Sequence, residues 1–107
     1  MSLELIIKAL IGLGLSRPDS EIYVYIAKKG PLTIMDLVNA LIYDKQKIYS
    51  ILRNLQTKGL VAKVQLKFSA ISFEETLDLL IKMKKEQEQV MQESKEELLA
   101  TWEAKDF

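Results

Sequence analysis

Start signals for α-helices recur along this chain. A hydroxyl residue stands three positions before a carboxylate in three pairs: Ser16 and Asp19, Thr33 and Asp36, and Ser72 and Glu75. This spacing is typical of a helix N-cap, because the hydroxyl accepts a hydrogen bond from the third helical N–H while that residue's carboxylate bonds back to the cap. Asp44 is a further N-cap candidate, and Gly30 and Gly59 are stop signals. The chain must therefore fold into several short helices.

The spacing of apolar residues predicts where these helices lie. Four are expected, near residues 3–13, 17–29, 34–41 and 45–58, each with apolar residues at intervals of three and four. The predicted buried face of the first helix comprises Leu5, Ile6, Ala9, Leu10 and Leu13. That of the second comprises Ile22, Tyr23 and Ile26. That of the fourth comprises Ile48, Ile51, Leu52 and Leu55.

The pattern changes after Gly59. The segments "LVAKV" and "KFSAI" are rich in β-branched or aromatic residues, which favours two short strands with a tight turn at Gln65 and Leu66. Three helices followed by a hairpin are the order of a winged helix-turn-helix, whose last helix lies in the major groove of DNA. We therefore predict a mainly α fold with a small β-hairpin. Residues 1–72 would form the winged helix-turn-helix domain, with hairpin 60–71 as its wing.

The remainder of the chain has the pattern of a long helix. No Pro or Gly follows Ser72, and we predict a single helix over residues 73–105. Its apolar stripe exceeds what a domain of this size can cover, so a partner helix in a coiled-coil arrangement is the physical remedy. We expect residues 73–107 to be a dimerisation helix. The predicted dimer interface comprises Leu80, Met91, Leu98 and Trp102.

Two missing residue types restrict the chemistry of the chain. It contains no Cys and no His, which removes disulfides, thiolate nucleophiles, the usual zinc ligands and the commonest general base. We therefore expect no enzyme activity, no metal site and no cofactor. The most apolar stretch, residues 5–15, contains Lys8 and is too short to span a bilayer. With no targeting signal, we expect a cytoplasmic protein with no membrane partner.

Charge is unevenly distributed along the neutral chain. Residues 1–30 hold four basic and three acidic residues, residues 31–72 six and two, and residues 73–107 five and ten, which gives net charges of +1, +4 and −5. Such asymmetry is typical of a protein that meets a polyanion through one of its parts. The positive part contains the fourth helix and the predicted wing.

The outer face of the fourth helix has residues suited to DNA. A step of about 100° per residue places four polar residues opposite the buried Ile48: Gln46, Ser50, Arg53 and Thr57. Arg bonds guanine bidentately, Gln and Asn bond adenine, and hydroxyls reach phosphate. Lys45 and Lys47 oppose the helix dipole, which is reasonable where phosphates supply the compensating charge. The predicted DNA contacts are Lys45, Gln46, Lys47, Tyr49, Ser50, Arg53, Asn54, Thr57, Lys63 and Lys67.

Two other interpretations fit part of this pattern. Any solvated helix carries a polar face, but here the face lies on the DNA-reading helix of the motif, just before Lys63 and Lys67. A winged helix can also mediate protein–protein contact in a transcription or chromatin assembly. An exposed apolar patch in place of the basic face would indicate that role.

Residues from about 10 to 80 resemble the N-terminal domain of TrmB-type archaeal transcriptional regulators. The shared landmarks are Leu13-Gly14-Leu15, Tyr23, Gly30-Pro31, Ile48-Tyr49, Leu52, Leu55 and Lys58-Gly59-Leu60-Val61. The resemblance implies a non-enzymatic regulator of transcription that binds double-stranded DNA sequence-specifically. Many relatives sense sugars through a large further domain, which does not follow the long helix here, so we expect no small-molecule effector. The expected partners are double-stranded DNA and a second copy of the chain.

Overall fold

The computed structural model describes residues 3–104. Within them the order of elements is α1 (Leu3–Gly12), α2 (Arg17–Lys29), α3 (Ile34–Ala40), α4 (Lys45–Thr57), β1 (Val61–Val64), β2 (Lys67–Ala70), α5 (Phe73–Glu93) and α6 (Lys95–Ala104). The predicted mainly α fold with one small hairpin is confirmed, and α1 to α4 end within one residue of the predicted positions. Residues 1–2 and 105–107, which belong to the predicted ranges 1–72 and 73–107, lie outside the described part.

The predicted N-caps are present. The Thr33 hydroxyl accepts a hydrogen bond from the Asp36 N–H at 3.1 Å, and the Thr33 N–H donates to the Asp36 carboxylate at 2.9 Å. Ser16 and Asp19 cap α2 in the same reciprocal way, and Asp44 caps α4. The bond from the Thr33 backbone holds the pKa of Asp36 below its usual value. This cap therefore adds stability above the ordinary carboxyl pKa and loses it as the pH falls through the lowered pKa.

The hairpin turns at the predicted residues. β1 and β2 pair antiparallel, and Val64 opposite Lys67 closes the ladder around Gln65 and Leu66. Gln65 has a φ of 58°, in the left-handed region, and no other non-glycine residue of the described chain has a positive φ. A positive φ at the first turn residue alone is the pattern of a type II′ turn, where glycine is usual. The turn is thus as short as a hairpin allows, and Gln65 holds it at a steric cost.

The core gathers the inward faces of α1, α2, α4 and the hairpin. The predicted faces of α2 and α4 are buried as expected: Ile22, Tyr23, Ile26, Ile48, Ile51, Leu52 and Leu55 are each at most 4% exposed. The predicted face of α1 is wrong in part, because Leu5 is 68% exposed while Ile7 is buried beside Leu10. Apolar residues occur on nearly every side of α1, so periodicity does not select one face. The buried face, with Ile7 and Leu10, is selected by the packing of α1 against α2.

Tyr23 joins the N-terminal helices to α5. Its ring is fully buried, its hydroxyl donates to the Ile71 carbonyl at 2.7 Å, and the Thr76 hydroxyl donates to it at 2.7 Å. Burial raises the pKa of Tyr23 above its usual value. Because Thr76 lies in the first turn of α5, this pair of hydrogen bonds fixes where that helix leaves the domain.

The C-terminal segment contains a long helix, but it is not continuous. α5 has 21 residues and is separated from α6 at Ser94. The predicted single helix over 73–105 is therefore wrong at this residue, and residue 105 lies outside the described range. The Ser94 N–H still donates to the Val90 carbonyl at 3.0 Å, and the Ser94 carbonyl accepts from the Leu98 N–H at 2.9 Å. The interruption is local, at a residue whose hydroxyl competes with helical hydrogen bonding.

The first half of α5 belongs to the core of its own domain. Leu80 is 2% exposed, with Leu79 and Met83 partly buried beside the same cluster. The Lys84 ammonium donates to the Gly12 carbonyl at the end of α1, at 2.9 Å. Leu80 thus packs within its own domain and leaves almost no surface for a second copy, whereas the other residues of the predicted dimer interface, Met91, Leu98 and Trp102, are exposed. No helix within residues 3–104 is long and apolar enough to cross a membrane.

We expect Tyr23→Phe to lower the free energy of unfolding by about 1–3 kcal/mol, because the Ile71 carbonyl and the Thr76 hydroxyl lose their partner inside the core. Tyr25→Phe is the matched control on the same helix. Tyr25 is only partly buried and its hydroxyl makes no hydrogen bond within the described residues, so the loss should stay below about 0.5 kcal/mol. Urea unfolding followed by circular dichroism measures both, and equal losses would contradict the proposed importance of the Tyr23 hydrogen bonds.

Candidate nucleic-acid interface

The buried side of α4 determines which side chains face outward. Ile48 and Leu55 are fully buried and Ile51 and Leu52 nearly so, so the opposite side of the helix is directed away from the core. Seven predicted contact residues of α4 are exposed: Lys45, Gln46, Lys47, Tyr49, Ser50, Arg53 and Thr57. Gln46, Ser50, Arg53 and Thr57 lie opposite Ile48, Lys47 and Tyr49 flank them, and Lys45 lies in the first turn, nearer the buried side. We call these seven exposed side chains the α4 face.

Arg53 is the central cation of the α4 face. Its guanidinium lies 5.9 Å from the centre of the Tyr49 ring, a cation–π contact that limits the side chain's freedom while leaving its N–H donors available. Among the described residues no carboxylate forms an ion pair with Arg53. The ion pair present there joins Arg17 to Glu4 at 2.9 Å. An arginine restrained in this way is suited to bidentate hydrogen bonding with guanine.

The N-terminus of α4 combines a cap with two cations. The Asp44 carboxylate accepts a hydrogen bond from the Lys47 N–H at 2.7 Å. Lys45 and Lys47 are both exposed in the first turn, beside backbone N–H groups that favour an anion. Asp44 is the one acidic residue between positions 43 and 63. Its charge stabilises the helix and at the same time opposes an approaching phosphate.

Asn54 is placed differently from its predicted neighbours. It is partly buried, its amide donates to the Asp19 carboxylate at 3.0 Å, and its carbonyl oxygen accepts from the Lys58 ammonium at 3.3 Å. One N–H donor and the carbonyl oxygen of the amide are therefore engaged within the protein, which leaves fewer groups for the predicted DNA contact. Asn54 instead holds α4 against the N-terminus of α2. Asp19 precedes it by 35 residues, so no local pattern could have indicated the pair.

The turn before α4 is held by a separate polar cluster. The Tyr43 hydroxyl donates to the Glu21 carboxylate of α2, and this hydrogen bond raises the pKa of Tyr43 above its usual value. Ile42, one residue earlier, is 94% exposed. The cluster fixes the path from α3 into α4 without the glycine often found in such turns.

The hairpin carries the two remaining predicted cations. Lys63 and Lys67 are both exposed, and the Lys63 ammonium lies 5.6 Å from the centre of the Phe68 ring. Between them, Val64 and Leu66 are 65% and 75% exposed. The predicted site does not include these apolar residues, because charged and hydrogen-bonding side chains are the ones that bond base edges and phosphates.

The chain is similar to proteins that regulate transcription or bind DNA. A family model described as the sugar-specific transcriptional regulator TrmB matches residues 10–74. A solved structure described as TrmBL2, an archaeal chromatin protein with a novel mode of DNA binding, has a TM-score of 0.70 over 98% of this chain at 22% identity. The match covers 44% of that protein's chain, so this chain spans less than half its length. No curated protein matches.

We expect Asp44→Asn to raise the affinity for duplex DNA by about 3- to 10-fold, because asparagine keeps the cap and removes a carboxylate from the path of a phosphate. Asp44→Ala should raise affinity similarly but lower the free energy of unfolding by about 0.5–2 kcal/mol, because the cap is lost. Fluorescence anisotropy with a labelled duplex and thermal melts measure the two quantities. Weaker binding by Asp44→Asn would show that this carboxylate does not face DNA.

Proposed function

The chain belongs to the TrmB family of transcriptional regulators, and from this premise we propose that it binds double-stranded DNA sequence-specifically as a dimer, with α4 in the major groove and the hairpin as the wing. The matched residues 10–74 include α4 and both strands. The proposal concerns DNA binding by these elements, and the sugar specificity in the family's description is not extended to this chain.

The observation that carries the proposal is the α4 face. Lys45, Lys47 and Arg53 are exposed on it without carboxylate partners in the described chain, and it adjoins a hairpin with two further lysines. Unpaired cations on one surface repel one another and are better stabilised by a polyanion than by water. The roles divide by chemistry: Arg53 and Gln46 suit base edges, whereas Lys63 and Lys67 suit phosphates.

The dimer is proposed from the C-terminal helices. Met91, Leu98 and Trp102 are 61%, 52% and 65% exposed, and Val90 and Leu99 beside them are also exposed. Large apolar side chains repeated along a helix favour a partner helix. A dimer would present two copies of α4 to one duplex, ideally about 34 Å apart, so that successive major grooves are reached. Occupancy of promoter DNA would then block or recruit the transcription machinery.

A role in protein–protein contact alone fits the α4 face less well. That role would require an apolar patch on the helix that otherwise reads DNA, and Tyr49 is the one large hydrophobic side chain exposed on α4. Its ring is in contact with Arg53. The polar and basic character of this surface therefore favours DNA as the partner.

Binding to duplex DNA should weaken steeply with salt. A dimer using Lys45, Lys47, Arg53, Lys63 and Lys67 from each copy would neutralise roughly 6–10 phosphates, so log affinity should fall against log salt with a slope of about −5 to −9.

Arg53→Ala and Gln46→Ala should each reduce the free energy of DNA binding by about 1–3 kcal/mol, mainly at the preferred site. Lys63→Ala and Lys67→Ala should weaken all duplexes alike. A flat salt response, or equal losses on random and preferred DNA for all four variants, would contradict this division of roles.

We expect the double variant Met91→Lys, Leu98→Lys to be monomeric in sedimentation velocity at concentrations where the unchanged chain is dimeric, because two buried ammonium groups cannot be desolvated in a helix interface. The matched control, Gln89→Lys with Ala100→Lys, places the same charges two positions away, about 200° around each helix, and should remain dimeric. A double variant that is still dimeric would place the interface elsewhere. An unchanged chain that is monomeric would exclude the dimer.

A further inference from the structure

The end of the hairpin is apolar where hairpin ends are usually polar. We call Val64, Gln65 and Leu66 the wing tip. Val64 is 65% and Leu66 75% exposed, and the residues that flank them, Lys63 and Lys67, are cations. Turns normally carry Gly, Asn, Asp, Pro or Ser. Two exposed aliphatic side chains between two lysines are therefore a feature that the fold of the hairpin does not require.

The base of the hairpin is anchored to the rest of the domain. Phe68 is 4% exposed, its N–H donates to the Leu32 carbonyl at 2.7 Å, and its carbonyl accepts from the Leu32 N–H at 3.1 Å. Val61, at the other end of β1, is 3% exposed. The strands are thus joined on one side to the segment before α3 and on the other to the core. A hairpin anchored at its base loses less conformational entropy on entering a groove than an unanchored loop does.

The backbone of the turn is strained at Gln65, and the strained conformation makes the turn short. Gln65 has a φ of 58°, a conformation that glycine adopts without steric cost and other residues adopt with one. Strained backbone persists where the surrounding structure enforces it, and it is concentrated at binding sites. Here it gives a turn of only two residues, Gln65 and Leu66.

We propose that the wing tip is an apolar wedge that enters the minor groove next to the α4 site and inserts Leu66 at a base step, with Lys63 and Lys67 bonding the phosphates on either side. This inference rests on the proposed DNA binding. Leucine is among the side chains that unstack base steps from the minor groove and kink the duplex toward the major groove, by about 20–90° in known cases. The wedge should therefore prefer the most deformable steps, TA and CA/TG.

DNA explains the tip better than a lipid surface does. Two aliphatic side chains bury too little area to hold a protein on a bilayer, where stable attachment takes a long apolar helix face or two lipid chains. One inserted side chain is enough to kink a base step. The lysines on both sides also match the two phosphate strands that border the minor groove, which makes the charge pattern complementary to a duplex.

The test uses the full chain and its preferred duplex, obtained by selection from random sequence, with a donor and an acceptor dye at the two ends. A second duplex replaces the TA or CA step under the wing by AA. The unchanged protein and Leu66→Met should shorten the end-to-end distance and prefer the flexible step. Leu66→Ser should abolish the bend and the preference, and should weaken binding by about tenfold or more, the effect of leaving one leucine unburied. Ile81→Ser, which removes an exposed aliphatic residue of α5, should change none of these.

The outcomes separate the wedge from the proposed function. Salt-dependent binding that Arg53→Ala weakens, together with an unchanged bend and step preference in Leu66→Ser, overturns the wedge and leaves the proposed function standing. No salt-dependent binding of the unchanged protein to any duplex overturns both. Loss of binding to anionic vesicles in Leu66→Ser, with DNA bending intact, also overturns the wedge. Thermal melts of Leu66→Ser and Leu66→Met should agree with that of the unchanged protein within a few degrees, since Leu66 is 75% exposed in the folded chain.

Discussion

Burial of one side of α4 is the constraint on which the rest of the molecule depends. Ile48 and Leu55 are fully buried, so the helix cannot turn about its axis without exposing side chains whose burial is worth about 1.5–3 kcal/mol each. The bond between Asn54 and Asp19, at 3.0 Å, adds a directional restraint that apolar packing alone lacks. As a consequence, the cations on the opposite side keep a fixed direction before any ligand arrives. Preorganised donors of this kind bind with a smaller loss of entropy.

Directional hydrogen bonds also attach the C-terminal helices to the domain that contains α4. Tyr23 bonds both the Ile71 carbonyl and the first turn of α5, and Lys84 bonds the end of α1. α5 is therefore attached to the domain at two places along its length and cannot swing freely about the hairpin. If two copies associate through the exposed end of this segment, these two attachments help to set the separation of their α4 helices. A defined separation is what recognition of two half-sites on one duplex requires.

Features determined by neighbouring residues were predictable from the sequence, and features determined by distant partners were not. The caps and the buried side of α4 depend on residues within one or two helical turns, and they were placed correctly. The face of α1 depends on which side meets α2, so Leu5 was misplaced. The internal hydrogen bond of Asn54 was not predicted, because its carboxylate partner lies 35 residues earlier. Leu80 belongs to a periodic stripe, and periodicity does not tell whether such a stripe meets its own domain or a second copy.

The separation of charge along the chain makes a neutral protein compatible with a polyanion. At physiological ionic strength a charge is screened over about 8 Å, so the potential at α4 is set by the residues around it and barely by the total. Residues 31–72 carry a net charge of +4, and residues 73–107 a net charge of −5. Carboxylates from Glu86 onward are roughly 20 Å or more along the helix from the start of α5. Lowering the salt lengthens the screening distance, so these carboxylates contribute more to the electrostatic potential at α4. The acidic helices would therefore oppose the proposed DNA binding most at low ionic strength, where the basic surface attracts a polyanion over the longest range.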